Sequence, residues 1–426
     1  MNTFQRYYKA VDYLEGLSNL PLKGDYVASG KKQDVYLKRM RYFLELVGNP
    51  DKDLSFIHVT GTAGKGSVTN MVHEVLYASG KRVGSFTSPS VTTSIEKIKV
   101  NNVLISPEEL DDIVEYLKPY IDQAYREGLY GRPSYFEIFL AIAFIYFKKQ
   151  KCELVVLEVG LGGRFDATNV IESPLVTAIT NIDYDHTEIL GNALTDIAYD
   201  KIGIVKKGSV FFTTERRKNL LRLFKEVCKK EKATFNAVVS VDDYKENNKA
   251  LVIAVARHLG VGDAAVSAGI GASRLPCRFE CMQDNPQVIL DGAHNRAKIK
   301  STLYNLMRMS YKKLHLVIGT ADNKKTTDII KQVVPLADSI YFTRFQHKDR
   351  KCTHPKILLQ KSKVYIKKDS VVNMYLDSEQ AMEQALKKAD SNDVVLVVGS
   401  FFLAGELRKR WYPEEWILQN RSILAV

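Results

Sequence analysis

Long apolar runs are missing from this chain of 426 residues. Its most apolar stretch, residues 138–147, is far shorter than the roughly 20 residues a bilayer-spanning helix needs. No membrane interaction is expected. The opening residues Met1-Asn2-Thr3-Phe4-Gln5-Arg6 carry no charged-then-apolar leader pattern, so a cytoplasmic protein is expected. Cysteine is scarce, with five residues at 152, 228, 277, 281 and 352. Only Cys277 and Cys281 lie close together, and no second Cys or His pair at zinc spacing accompanies them. That excludes a disulfide framework and a zinc module, and leaves buried or incidental thiols. Internal repeats and low-complexity tails are absent as well. Acidic residues are outnumbered, 49 against 61 basic, for a formal net charge of +12. Nucleic-acid binding would need that excess gathered into a stripe with aromatic residues. Here the lysines are spread along the chain, and Lys148-Lys149-Gln150-Lys151 and Lys229-Lys230-Glu231-Lys232 read as solvated helix ends. A basic balance equally suits a polyanionic small molecule.

What is present is an ordinary globular composition, 45% hydrophobic and 26% charged, in a length that suits about two or three domains. One stretch organises the rest: Gly61-Thr62-Ala63-Gly64-Lys65-Gly66-Ser67. Before it, Phe56-Ile57-His58-Val59-Thr60 reads as a short strand. After it, Val68, Met71, Val72, Val75 and Leu76 mark one face of a helix that Gly80 can close. Strand, glycine loop, lysine and helix make the context of a phosphate-binding loop. Glycines let backbone N–H groups approach the phosphates, the helix N-terminus adds positive potential, and the lysine adds a full charge. The usual G-x-x-x-x-G-K-[ST] pattern is not met, because Val59 stands five before Gly64 and Gly66 follows Lys65. The hydroxyl that usually meets magnesium is therefore displaced by one residue.

Residues 1–54 read as amphipathic and partly charged, with a helix through Val35 to Val47 stopped at Gly48-Asn49-Pro50. A strand at 82–87 ends at Ser88-Pro89, and a polar loop leads to 95–100. Residues 107–117 read as a helix capped by Ser106 with Glu109 three residues on. Residues 134–147 read as a helix buried all round. The runs 154–159 and 175–180 have the β-branched, unalternating character of parallel strands buried on both faces. Ligands bind outside the carboxyl ends of such strands. Glu158, the segment Asn181-Ile182-Asp183-Tyr184-Asp185-His186 and the phosphate loop all fall there. Alone, Glu158 or His186 is equally a structural residue; the glycine-rich turn Gly160-Leu161-Gly162-Gly163-Arg164 favours close backbone approach to a ligand beside Glu158. Regular patterning lapses over 269–286. Beyond it, strands at 288–290, 314–318, 339–343 and 394–398 and a helix at 380–389 form a second α/β series. The expected domains are 1–271, which binds ATP, a linker at 272–286, and 287–426.

Together these segments resemble the folylpolyglutamate synthase/dihydrofolate synthase family, within the Mur ligase superfamily of ATP-dependent amide-bond ligases. The matching segments, from about residue 35 to 410, are residues 58–67, 86–89, 96–101, 135–137, 157–169, 181–186, 200–206, 278–280, 291–295 and 399–400. The resemblance implies an α/β fold: a P-loop NTPase-like ATP-binding domain with a mostly parallel sheet, then a smaller Rossmann-like α/β domain of the Mur ligase C-terminal type. It implies that Thr62, Gly64, Lys65, Gly66 and Ser67 hold ATP phosphates and that Ser88, Glu158 and His186 hold Mg²⁺, with a second Mg²⁺ possible. Lys201 matches a lysine carbamylated in the family; a surface lysine on a helix is the plain alternative. Arg278 matches a linker arginine that reaches the phosphates, and Asp291, His294 and Asn295 match nucleotide contacts. Lys65, His186, Lys201 and Arg278 are the implied catalytic set.

The implied reaction is glutamate addition to a folate, to dihydropteroate, or to both. ATP phosphorylates the acceptor's terminal carboxylate, and the glutamate amine displaces phosphate. The family resemblance also implies a monomer working on small molecules. The sequence departs from the family pattern at Ala63 (usually Asn), Ser90 (usually His), Lys97 (usually Arg), Cys277 (usually Gly) and Arg296 (usually Pro). Ser90 lies near the expected pteridine site. The alternatives are a Mur-type ligase joining another carboxylate to an amino acid, and a nucleotide-operated switch. A switch would not need Arg278 and Asp291 brought to the nucleotide by a second domain.

Overall fold

The computed structural model describes residues 3–17, 34–128, 130–239, 241, 243–322, 326–347 and 350–424. The chain divides into two compact units. One comprises Met1–Ser90, Ser94–Arg274 and Leu418–Ser422; the other comprises Val91–Thr93, Leu275–Ile417 and Ile423–Val426. No described helix is long and apolar enough to cross a membrane.

In the first unit the strands are β1 (Phe56–Thr60), β2 (Val83–Phe86), β3 (Ile98–Val100), β4 (Val103–Leu104), β5 (Leu154–Glu158), β6 (Val176–Ile179), β7 (Val210–Thr213) and β8 (Thr234–Ala237). Among the described residues they form one sheet in the order β4-β3-β2-β5-β1-β6-β7-β8. Pairing is parallel from β2 through to β8, and only the β2–β3 and β3–β4 pairings are antiparallel. β1, β5 and β6 are buried along their whole length, as their β-branched composition demands. Helix Lys65–Ala78 buries Val68, Met71, Val72, Val75 and Leu76, the face its spacing marks. It packs with helices Tyr244–His258 and Asp263–Ala272 over one apolar cluster. Helix Tyr135–Lys149 is buried on nearly every side and starts with a capping box between Ser134 and Glu137. Its Glu137 also takes Arg39 Nε at 2.8 Å, both side chains being 2% exposed.

The expected helix at 107–117 runs instead over Pro107–Glu127, passing through Pro119. Proline removes one backbone donor, but burial of Ile121 and Ala124 beyond it outweighs that loss. The amphipathic opening comprises helices Thr3–Gly16 and Asp34–Leu46; the part of that reading over 18–33 lies outside the described residues.

The second unit holds β9 (Glu280–Asp284), β10 (Gln287–Leu290), β11 (Leu314–Ile318), β12 (Ser339–Phe342), β13 (Val371–Met374) and β14 (Val394–Val398). Their order is β13-β12-β11-β14-β10-β9, parallel throughout except for the β9–β10 hairpin. The irregular stretch expected at 269–286 thus contains a strand. β9 is a half-exposed edge, so it lacks the apolar signature of a central strand. All five cysteines are free.

Candidate active site

The phosphate-type loop leaves β1 at Thr60 and turns into helix Lys65–Ala78 through Gly64, whose φ of 82° lies in the left-handed region. A Cβ on Gly64 would stand 2.7 Å from Asn248 Oδ1, so a side chain there would also displace the Asn248 amide. The neighbouring strand holds the loop's shape. Thr62 N–H donates to the Asn181 carbonyl at 3.0 Å, and Ala63 N–H to Asn181 Oδ1 at 2.8 Å. Thr62 Oγ1 donates to the Asp183 carbonyl at 3.0 Å and accepts from Asp183 N–H at 2.9 Å. Thr180 Oγ1 donates to the Ala63 carbonyl at 2.5 Å. Lys65 Nζ donates to the Gly61 carbonyl at 3.0 Å, across the mouth of the same loop. Gly66 and Ser67 occupy the first helical turn, where backbone N–H groups lack intrahelical partners.

Glu158 ends β5 next to β1, and its carboxylate is buried. Ser88 N–H donates to Glu158 Oε2 at 3.1 Å. A Cβ on Gly66 would stand 3.3 Å from the same oxygen. The Ser88 loop, Glu158 and the first helical turn therefore meet at one point. Oxygen donors from one or two carboxylates suit magnesium beside phosphates. A buried Glu158 carboxylate next to the Ser88 loop fits that donor chemistry. Among the described residues no three His, Cys, Asp or Glu side chains form a ready-made cage, so a metal here would complete its shell with hydroxyl, phosphate or water oxygens.

His186 adopts a left-handed φ of 50° at the start of the short helix Thr187–Leu190. Its Nε2 lies 3.9 Å from Asp185 Oδ1 and its Nδ1 3.7 Å from Glu188 Oε1. Lys201 ends helix Leu194–Lys201 and is 3% exposed, which overturns the reading of a surface lysine. Burial, reinforced by the Lys65 charge, pushes its pKa down to about 7 against the opposing pull of Asp200, Asp185 and Asp166. Burial likewise raises Asp200 and Asp166 above the usual carboxylate range.

The glycine-rich turn after Glu158 is tightly packed on one side. A Cβ on Gly162 would meet Asp200 Oδ1 at 2.2 Å, and one on Gly163 the Lys201 carbonyl at 2.7 Å. These glycines let the turn pack on the helix that carries Lys201. The turn is closed by Asp166, whose Oδ2 accepts from Leu161 N–H at 2.9 Å and whose Oδ1 accepts from Thr168 Oγ1 at 2.5 Å. Because Thr168 gives its proton to Asp166, His58 Nε2 is the donor in its 2.8 Å bond to Thr168. Burial pushes the His58 pKa down to about 3.

In the second unit Asp291 follows β10 at the carboxyl-end rim. Its Oδ1 accepts from Ala293 N–H and its Oδ2 from Thr302 Oγ1, both at 2.9 Å. Burial raises its pKa, while Arg278 and the Thr302 bond oppose that. The Arg278 guanidinium carbon stands 3.8 Å over the Phe401 ring. Cys277 and Phe279 on either side of it have φ of 53° and 52°. Glu280 anchors that turn, accepting Cys277 N–H at 2.8 Å and a bidentate Arg408 at 2.9 Å. His294 Nδ1 donates to the Gly292 carbonyl at 2.8 Å, leaving Nε2 to accept from Lys298 Nζ at 3.1 Å. Asn295 caps helix Arg296–Leu306, its side chain accepting from Lys298 N–H at 2.9 Å.

Several participants escaped the sequence reading. Lys298 stands in the first turn of helix Arg296–Leu306, four residues after His294, which precedes the cap; the two meet only through the turn's geometry. Asn181 was visible only as part of a segment. Asn248 carries no local signal at all, because its neighbour Gly64 is 184 residues away.

Comparison with known proteins supports the same assignment. Residues 277–401 match the family described as Mur ligase, glutamate ligase domain. A dihydrofolate synthase/folylpolyglutamate synthase of Bacillus subtilis is 31% identical over 414 residues, covering 88% of this chain and 94% of that protein. The folylpolyglutamate synthase structure from Thermotoga maritima superposes with a TM-score of 0.80 at 28% identity, covering 97% of this chain and 99% of that one. A bifunctional folylpolyglutamate synthase/dihydrofolate synthase with Mn, AMPPNP and L-glutamate bound superposes with a TM-score of 0.78 at 25% identity, over 95% and 97% of the two chains. With similarity of that extent running through both α/β units, the chain belongs to the dihydrofolate synthase/folylpolyglutamate synthase family.

Proposed function

We propose that this protein is an ATP-dependent ligase that adds L-glutamate to a folate, by way of an acyl phosphate on the acceptor's terminal carboxylate. The observation that carries this reading is the meeting of the phosphate loop, the Ser88 loop and the buried Glu158 carboxylate at Gly66. Family membership supports the choice of substrates, as does the relative bound to Mn, AMPPNP and L-glutamate. Residues 1–271 act as the ATP-binding domain and 287–426 as the glutamate ligase domain, joined through 272–286. The matched glutamate ligase segment supports that division. The protein acts in the cytoplasm as a monomer, and its five free thiols suit a reducing compartment.

Thr62, Gly64, Lys65, Gly66 and Ser67 bind the ATP phosphates. Lys65 and Arg278 neutralise charge that builds on the transferring phosphoryl group. Ser88, Glu158 and His186 hold magnesium. The ion supplies neutralisation of phosphate oxygens and orientation of the acceptor oxygen. Lys201 as an ammonium would repel a cation. Its neutral form at about pH 7 is the nucleophile that carbamylation requires, and a carbamate would present oxygens towards a second ion. Asp291 takes the ribose hydroxyls, and His294 and Asn295 order the loop around them.

The test is direct. The protein is incubated with ATP, Mg²⁺, glutamate and either dihydropteroate or tetrahydrofolate, and products are read by mass spectrometry. A mass increase of one glutamyl residue with release of ADP is expected. No addition to either acceptor would overturn the folate assignment.

A further inference from the structure

Lys97 is a buried lysine, 7% exposed, that forms no ion pair among the described residues. Its Nζ donates to Ser90 Oγ at 2.9 Å, Ser94 Oγ at 3.2 Å and Tyr135 Oη at 3.2 Å. The ammonium also lies 4.4 Å from the Phe139 ring centroid and 5.4 Å from that of Tyr135. Three protons are thus matched to three neutral oxygens, and two aromatic faces surround the charge. A buried charge is ordinarily paired, because desolvation without a counter-ion is costly. The arrangement holds the ammonium in place but leaves its positive potential unanswered.

The hydroxyls extend that potential outward. Each oxygen accepts from Lys97, so each proton must go elsewhere. Ser94 Oγ and Tyr135 Oη are 3.4 Å apart and absorb one proton between them. The other proton of that pair and the proton of half-buried Ser90 have no acceptor among the described residues. The cluster is therefore a set of outward donors backed by a full positive charge, which is the chemistry that receives an anion. Ser90 and Lys97 are also the two neighbouring positions at which this chain departs from the His and Arg usual in its family. The structure joins them in one hydrogen bond, so the two departures form a single exchange.

Position narrows the anion. Ser90 is two residues from Ser88, at most about 7 Å along an extended chain, and Ser88 N–H bonds the Glu158 carboxylate. Ser90 was expected to lie near the pteridine, but a neutral ring gains little from an ammonium. A folate's glutamyl end carries two carboxylates close together, one terminal and one α. Resting on the folate reading above, we propose that Ser90 and Lys97 dock the α-carboxylate, the one that does not react, so that the terminal carboxylate is presented at the Ser88–Glu158 corner. Ser90 touches the substrate, and Lys97 is a positioning residue acting through the Ser90 hydroxyl.

The experiment compares tetrahydrofolate with tetrahydropteroyl-4-aminobutyrate, which keeps the terminal carboxylate and lacks the α-carboxylate. In the unaltered protein kcat/KM should favour tetrahydrofolate by about tenfold or more. In Ser90→Ala and in Lys97→Met that preference should shrink towards unity. Lys97→Arg, which keeps the charge, should retain most of it. An unchanged preference in Ser90→Ala, whose half-exposed position spares folding, would overturn the proposal whether or not Lys97→Met lowers Tm. Equal use of both acceptors by the unaltered protein would overturn it too. Failure of the folate reading is distinct: neither acceptor would then be glutamylated at all.

Discussion

The Glu158 carboxylate stands against Gly66: a Cβ added to that glycine would come within 3.3 Å of one carboxylate oxygen and 3.4 Å of the other. A buried negative charge is thereby held at the N-terminus of helix Lys65–Ala78, where the helix dipole favours it. Glu158→Gln keeps the shape and removes the charge. It is expected to raise the Mg²⁺ concentration for half-maximal activity by at least about tenfold, with little change in Tm. Gly66→Ala should act in the same direction by displacing the carboxylate. Magnesium titrations of ATP turnover check both.

Gly61→Ala serves as a contrast in mechanism. Its Cβ would stand 1.9 Å from Thr180 Oγ1, and its φ of 150° also disfavours a side chain. The loop cannot absorb that overlap without breaking its attachment to β6. A loss of folding stability of roughly 1–3 kcal/mol is expected by chemical denaturation, and it should accompany any loss of activity.

Asn181 holds the phosphate loop through its side chain as well as its backbone. Asn181→Ala removes the bond to Ala63 N–H and leaves that donor without its partner. The KM for ATP should rise about tenfold, in keeping with about 1–3 kcal/mol for a broken buried hydrogen bond, while the KM for glutamate stays put. Steady-state kinetics with each substrate varied in turn separate the two.

Lys201 is expected to make stability pH-dependent, and the carbamylation proposed for it should be pH-dependent too. Its folded pKa of about 7 lies below the ordinary lysine value of 10.5, so between those values the unfolded chain binds a proton that the folded chain does not. Stability from this residue is lowest below pH 7 and rises with pH up to about 10.5. In CO2-free buffer, Lys201→Met should flatten that rise and be more stable at pH 7, by up to a few kcal/mol. Carbamylation forms an Nζ–C bond from the neutral amine and CO2 and releases a proton. At fixed CO2 its initial rate should be about tenfold higher at pH 8 than at pH 6, read as a 13C carbamate signal missing from Lys201→Met.

Glu280 and Arg408 form a bidentate ion pair in which Arg408 is 0% exposed. Glu280→Ala should destabilise the second unit by about 3–5 kcal/mol, because it strands a buried guanidinium. Glu280→Leu combined with Arg408→Met should recover much of that loss. Urea unfolding followed by circular dichroism gives the comparison. Glu280→Ala should also weaken ATP use, since Glu280 secures the turn that carries Arg278.

Local chemistry made much of the fold legible. Phe56–Thr60, Leu154–Glu158, Leu314–Ile318 and Val394–Val398 are strands buried along their whole length, and short runs rich in apolar and β-branched residues announce such strands. Ser106 and Ser134 cap helices through contacts three residues away. Edge strands were not legible in the same way. Glu280–Asp284 is half-exposed and takes its identity from pairing with Gln287–Leu290. Helix Pro107–Glu127 continued past Pro119 because residues beyond it found a core to enter.

By itself the sequence determined the α/β class, the phosphate loop at 61–67, the buried strands that deliver Glu158 and Asn181 to one rim, and the family. These follow from contacts between near neighbours or from short segments of fixed order. Tertiary structure alone decided that Lys201 is buried within reach of the Lys65 charge, that Gly162 and Gly163 pack closely on Asp200 and Lys201, that Asn248 lies against Gly64, and that Ser90 and Lys97 share a bond. The physical reason is distance along the chain: desolvation, steric exclusion and charge act through space, and no local pattern records which remote side chain will be the neighbour.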